Sequence, residues 1–184
     1  MDPDLNAPGA NTMKFAYADP PYLGCSKFYD HPDASDYDDT GAHGDLMQRI
    51  DHEYDGWAFS LSAPSLVRLM PMAPSGIRIA SWVKPFAAFK ANVRIAYTWE
   101  PVIFKPGRDS SKDGAPVGRD HLSEPITMRK GLTGAKPERF CRWIADLLGY
   151  VEGDEMVDIF PGTGIMGRTL AQSAMVLSPQ EPTP

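Results

Sequence analysis

With 184 residues, 42% of them hydrophobic and 23% charged, the chain has the size and balance of one soluble globular domain with its own core. A net charge of -6 excludes a general nucleic-acid binder that works by bulk electrostatics. Two cysteines, Cys25 and Cys141, lie far apart in no CxxC pair, so neither a disulfide framework nor a zinc site is expected. No apolar run is long enough to cross a bilayer and the first residues lack the blocks of a signal peptide, so a cytoplasmic location is expected.

In chain order, residues 1–12 read as a flexible tail, 13–176 as a single domain and 177–184 as a second tail. "MKFAYAD" reads as a buried strand ending at Asp19. It is followed by "PPY", a corner in which Pro20 and Pro21 fix φ and withdraw two backbone donors. "HPDASDYDDTGAHGDL" shows no periodicity and reads as an acidic loop leading into a helix over Leu46 to His52. "GWAFSLS" is the next strand, "APSLVRLMPM" a short helix with proline at its start, and "GIRIASWVK" a third strand. "RIAYTWEPVIFKPG" reads as a strand whose Pro101 places it at an edge or a bulge. Residues 107–134, rich in Gly, Ser, Asp and Pro, read as a mobile loop.

"KPERFCRWIADLLGY" has an amphipathic face at Phe140, Trp143, Ile144, Leu147 and Leu148, with Pro137 in its first turn and Gly149 as its stop. "EMVDIF" follows as a buried strand, "PGTG" as a turn and "IMGRTLAQSA" as a helix. This alternation implies an α/β domain. The charge is uneven: Asp30 to Asp55 carries nine acids against Arg49 alone, while cations lead from Lys84 to Arg142, the half that would face a polyanion.

Two stretches carry chemistry. In the first, Asp19 can accept a hydrogen bond from an amine and Tyr22 offers a flat face for stacking, which suits the exocyclic amine of an aromatic base; a proline-rich strand-to-loop turn with Asp as an ordinary turn residue is the alternative. In the second, "VDIFPGTGIMGR", Gly162 and Gly164 let backbone approach a ligand at the start of a helix. The spacing is neither that of a dinucleotide fingerprint nor that of a phosphate loop. His31, His43, His52 and His121 share no metal-ligand spacing and read as surface or loop residues, and no metal is assigned.

Together, and in this order, the motifs resemble the S-adenosylmethionine-dependent amino-methyltransferases. In these a DPPY-type corner holds the target amine and an FxGxG turn holds the cofactor. The corner comes first, then "SWVKPFAAF" and "AYTWEPVIFKPG", then a Lys-Pro helix running into the glycine turn. This resembles the permuted arrangement of phage and bacterial DNA N6-adenine methyltransferases and of the related RNA N6-adenosine family.

The resemblance implies a Rossmann-like fold with a mostly parallel central sheet, helices on both faces and permuted motif order. It implies Asp19, Pro20, Pro21 and Tyr22 as the catalytic corner. Asp158, Phe160, Gly162, Gly164, Lys136 and Pro137 would bind S-adenosylmethionine. Trp82, Lys84 and Glu100 would contact the substrate, and residues 107–134 would recognise it.

The implied substrate is DNA, single- or double-stranded. N4 of cytosine, adenosine in RNA, and a non-catalytic nucleic-acid-binding or partner subunit are the alternatives. The family places an acid after the strand that follows the glycine-turn helix. Here "AMVLS" is the only candidate for that strand and Glu181 the only acid. The sheet edge left on that side is one that a second copy or a partner subunit would cover.

Overall fold

The computed structural model describes residues 12–30, 32–85, 93–108, 117–126 and 135–177. Six strands form one sheet: β1 (Lys14–Ala18), β2 (Gly56–Ser60), β3 (Arg78–Val83), β4 (Trp99–Lys105), β5 (His121–Ser123) and β6 (Glu155–Asp158), in the order β5-β3-β4-β2-β1-β6. β1 pairs parallel with both β2 and β6, and β3 with β5. β4 alone is reversed, antiparallel to β2 and to β3. This is the mostly parallel, Rossmann-like sheet that the motifs imply.

The period-2 geometry of the strands divides the core in two. Phe15, Tyr17, Ala58, Trp82 and Phe104 face α3 (Glu138–Leu148) and α4 (Ile165–Leu177) on one side. Ala16, Ala18, Trp57, Phe59 and Ile103 face α1 (Thr40–Glu53) and α2 (Ala63–Leu69) on the other. α3 ends where its sequence predicts, at Gly149 in the left-handed conformation with φ 74°. Among the described residues, no helix is long and apolar enough to cross a membrane.

Four sequence readings change. β4 is central, not an edge strand. It tolerates Pro101 because the Pro101 carbonyl accepts from Leu61 N–H, just past the end of β2, so the missing donor faces a position where the ladder has stopped. The acidic stretch after the corner is not loop throughout, since Pro32–Asp38 form 3-10 turns and α1 starts at Thr40. Within 107–134, most of which lies outside the described residues, the short strand β5 buries Leu122 opposite Trp82. "AMVLS" is helical up to Leu177, because α4 continues through it; Glu181 lies outside the described residues. β6 is an outer strand of the sheet as described.

The turn from α1 into β2 is closed by close backbone approach. A Cβ on Gly56 would stand 2.5 Å from the Gly107 backbone nitrogen and 3.0 Å from the Phe15 ring. Gly56→Ala is therefore expected to destabilise the domain by about 1–3 kcal/mol, the usual cost of overpacking. A fall in Tm of about 2–4 °C per kcal/mol, measured by calorimetry, checks this.

Candidate active site

β1 and β6 are parallel neighbours in register, with Tyr17 opposite Asp158. The chain therefore leaves both strands at the same end of the sheet, and Asp19 emerges beside the turn Ile159–Gly164. Open parallel sheets bind ligands at the carboxyl ends of their strands. Here that end opens into a cavity of about 530 Å³ walled by Tyr17, Asp19, Pro21, Lys136, Cys141, Asp158 and the turn from Ile159 to Thr163. Further walls come from Tyr29, Asp30, Asp33, Ala34 and Tyr37 on one side and from Ala135, Ile165 and Met166 on the other. Gly162 and Gly164 hold φ of 45° and 67°, the left-handed region where glycine carries no penalty.

Around the corner, four ionisable residues and a tyrosine form one network. Lys136, 8% exposed, stands at the mouth of α3. Its Nζ lies 3.0 Å from Asp19 Oδ2, 3.4 Å from Glu100 Oε2 and 3.2 Å from the Tyr22 hydroxyl. Glu100 is also paired with Lys84. The Tyr22 hydroxyl lies 3.2 Å from Asp19 Oδ1 and 3.1 Å from Glu100 Oε2, and its one proton serves either carboxylate at a time.

Two carboxylates therefore meet two ammonium groups. Burial works against the Lys136 charge, but Asp19 and Glu100 together raise its pKa well above the ordinary lysine value. Burial alone would also raise the Glu100 pKa; Lys136 and Lys84 hold it below the usual range. Asp19 stays above its ordinary value, because burial and the neighbouring Glu100 outweigh the pull of Lys136.

On the opposite wall, the Asp158 carboxyl is pushed up to about 6, first by burial and then by Asp19, against a hydrogen bond from the Phe160 N–H at 3.3 Å. An acid whose pKa is higher folded than unfolded binds extra protons in the fold, so it stabilises below its ordinary value of 3.8 and loses that contribution as pH rises through 6. Asp158→Asn is expected to raise Tm by a few degrees at pH 8 and by less at pH 5 in the ligand-free protein. Thermal unfolding at the two pH values checks it.

The structure brings Asp19, Tyr22, Lys84, Glu100 and Lys136 into one network, of which Asp19 and Lys136 share one cavity with Asp158, Phe160 and Gly162. Pro137 is the N-cap of α3 and orients Lys136 just before it. Gly164 stands between Thr163 and Ile165, which line the cavity, and its N–H donates to Pro161 O at 2.5 Å just before α4.

Trp82 is placed differently from the expected substrate contact. At 2% exposure it is a core side chain, its Nε1 bonded to Glu124 O and its ring 4.8 Å from Lys84 Nζ and 5.6 Å from Lys136 Nζ. It supports the two ammonium groups through its π face.

His43 is also misread from sequence: it is 1% exposed, on α1, and not at the surface. Its Nε2 lies 3.2 Å from the Pro21 carbonyl and its Nδ1 3.1 Å from the Asp39 carbonyl. The Pro21 carbonyl is thus turned into the protein, not toward a ligand. Tyr17, whose hydroxyl pairs with Ser60 at 2.9 Å, and Tyr37, edge-on to Phe160 at 5.3 Å, complete the walls. Tyr17 was legible only as a strand residue, and Tyr37 stood in a stretch without periodicity.

No protein-family model matches the sequence, and no curated protein does. Among solved structures, the fold is similar to that of the M1.HpyAVI–SAM complex, with a TM-score of 0.58 and 15% identity, covering 88% of this chain and 78% of that one. A crystal structure of M1.HpyAVI gives 0.53 and 13% identity over 88% and 77%. At these identities the likeness establishes a shared fold.

Proposed function

We propose that the chain is an S-adenosylmethionine-dependent methyltransferase acting on the exocyclic N6 amine of adenine in DNA. The observation that carries this reading is the meeting of Asp19 and Pro21, from the corner, with the Phe160–Gly162 turn on one cavity. The solved complex of M1.HpyAVI with SAM, on a similar fold, supports the choice of cofactor.

The residues fit that cofactor. A cavity of about 530 Å³ lies within the usual range for small-molecule sites. Asp158, poised near pH 6 by burial, and Asp19 present carboxyl groups to a ligand that carries a sulfonium and an ammonium. Asp158, Phe160, Gly162 and Lys136 would hold it, with Pro137 and Gly164 shaping the backbone on either side. When bound, S-adenosylmethionine supplies an electrophilic methyl group.

The chain's own residues prepare the amine. An aromatic amine is a poor nucleophile because its lone pair is conjugated with the ring. The Asp19 carboxylate accepts a hydrogen bond from the amine and favours the geometry in which the lone pair turns out of the ring plane. Tyr22, its hydroxyl fixed by Asp19 and Glu100, presents its ring for stacking and offsets part of the few kcal/mol needed to take a base out of a duplex. Lys136 and Lys84 keep Glu100 ionised, and the methylated nitrogen sheds its extra proton to solvent.

The test is transfer of labelled methyl to unmethylated DNA, followed by digestion and identification of the nucleoside. N6-methyladenosine from DNA is expected. Label in N4-methylcytosine, or in RNA only, overturns the assignment of substrate. Absence of binding heat at millimolar S-adenosylmethionine overturns the enzyme reading itself.

A further inference from the structure

We propose that His43 is a positioning residue that couples the cofactor cavity to the amine-holding corner, through its bond to the Pro21 carbonyl and its edge-on ring contact with Tyr37. This rests on the methyltransferase reading above. The geometry is continuous. His43 Nε2 lies 3.2 Å from Pro21 O, the His43 and Tyr37 rings meet edge-on at 5.3 Å and 89°, and Tyr37 meets Phe160 edge-on at 5.3 Å and 83°. Tyr37 and Phe160 both line the cavity, whereas His43 does not. A further ring contact, with Phe59 at 6.1 Å, seats His43 against the strand beside β1.

The bond acts on a freedom the corner retains. The rings of Pro20 and Pro21 fix φ, and the following proline narrows ψ of Pro20 to the extended range, so ψ of Pro21 sets where Tyr22 stands relative to the Asp19–Pro20 segment. A carbonyl anchored in the protein sets that angle. Burial lowers the His43 pKa, so the ring is neutral and has a single N–H for two carbonyl partners. The Asp39 carbonyl, at the N-cap of α1, has the helix ladder as a second source of N–H, and the coupling requires the tautomer with its proton on Nε2, facing Pro21. A ligand pressing on Phe160 thus moves a rigid chain of rings whose far end holds the corner.

His43→Phe keeps a ring for the edge-on contact and removes the donor. It is expected to lower the single-turnover methyl-transfer rate about tenfold, the size of one lost hydrogen bond to a buried carbonyl. Its dissociation constant for S-adenosylmethionine is expected to stay within about twofold of wild type. His43→Gln, whose amide donates from a similar reach, is expected to recover part of the rate. Transfer by His43→Phe at the wild-type rate overturns the proposal, and so does a loss of rate matched by the fraction unfolded at the assay temperature.

Ring nitrogen-15 spectra of the wild type give a measurement that needs no variant. The Nε2–H tautomer and a shift of the His43 signals on adding S-adenosylmethionine are expected; unmoved signals at saturation overturn the coupling. The two failures are distinct. A wild type that neither binds the cofactor nor transfers methyl sinks the methyltransferase reading and this coupling with it. An active wild type with an equally active His43→Phe sinks the coupling alone.

Discussion

Asp19→Ala is expected to lower the methyl-transfer rate on DNA by about 10²–10³-fold, the scale on which removing one preorganised polar partner from a reacting centre acts. The fold should survive, because Lys136 keeps Glu100 and Tyr22 as partners. Wild type should also show an acid limb. In the proposed reaction the Asp19 carboxylate takes part as the anion, and its pKa lies above its ordinary 3.8, so the rate should fall as pH drops through that raised value. Single-turnover transfer of labelled methyl across a pH series measures both effects. Equal rates from wild type and variant would remove Asp19 from the mechanism.

Lys136→Met should cost stability as well as activity. It leaves Asp19 and Glu100, whose side chains are 20% and 18% exposed, with Lys84 as the remaining cation of the network. Breaking a buried pair by removing one partner costs about 3–5 kcal/mol. In a domain of this size that is a fall in Tm of about 6–20 °C.

The pH dependence separates this from a simple packing defect. In wild type, the raised Lys136 pKa gives stability that is fully present below the ordinary lysine value of 10.5 and is lost only as pH rises beyond it. The lowered Glu100 pKa gives stability present above 4.5 and lost as pH falls through the depressed folded value. Without Lys136 both carboxyls take up protons at higher pH. The deficit should therefore be widest near neutrality and narrow on acidification from pH 8 towards about 5. Calorimetric scans of both proteins decide it; a deficit independent of pH would mean that Lys136 acts through its packing alone.

The sequence displayed what rests on local rules. Apolar runs gave the strands β1, β2, β3 and β6, Gly149 stopped α3, and the two motifs located both walls of the cavity. Pro101 misled because proline's missing donor matters only where the neighbouring strand still runs, and no sequence rule tells where β2 ends. His43 was invisible for another reason. It stands in "DTGAHGD", among polar and small residues, and only the folding of α1 against the corner buries it. The charges were legible as types but not as partners, because the pairing of Lys136 with Glu100 spans 36 residues and joins a helix start to a reversed strand. Tertiary pairing of this kind has no periodicity to announce it.

The far end of the sheet holds a second tie. The buried Asp154 carboxylate takes the Met13 N–H at 3.0 Å, the Val151 N–H at 2.9 Å and the guanidinium of Arg108, which also donates to Gly149 O at 3.0 Å. One side chain thus gathers the starts of β1 and β6, the exit of β4 and the end of α3, at the pole opposite the cavity. This tie serves folding alone, whereas at the cavity end Lys136 bears on stability and on the proposed chemistry together. Substitutions around Asp154 should trade in robustness alone, leaving the cavity end free to diverge in what it recognises while the chain keeps its shape.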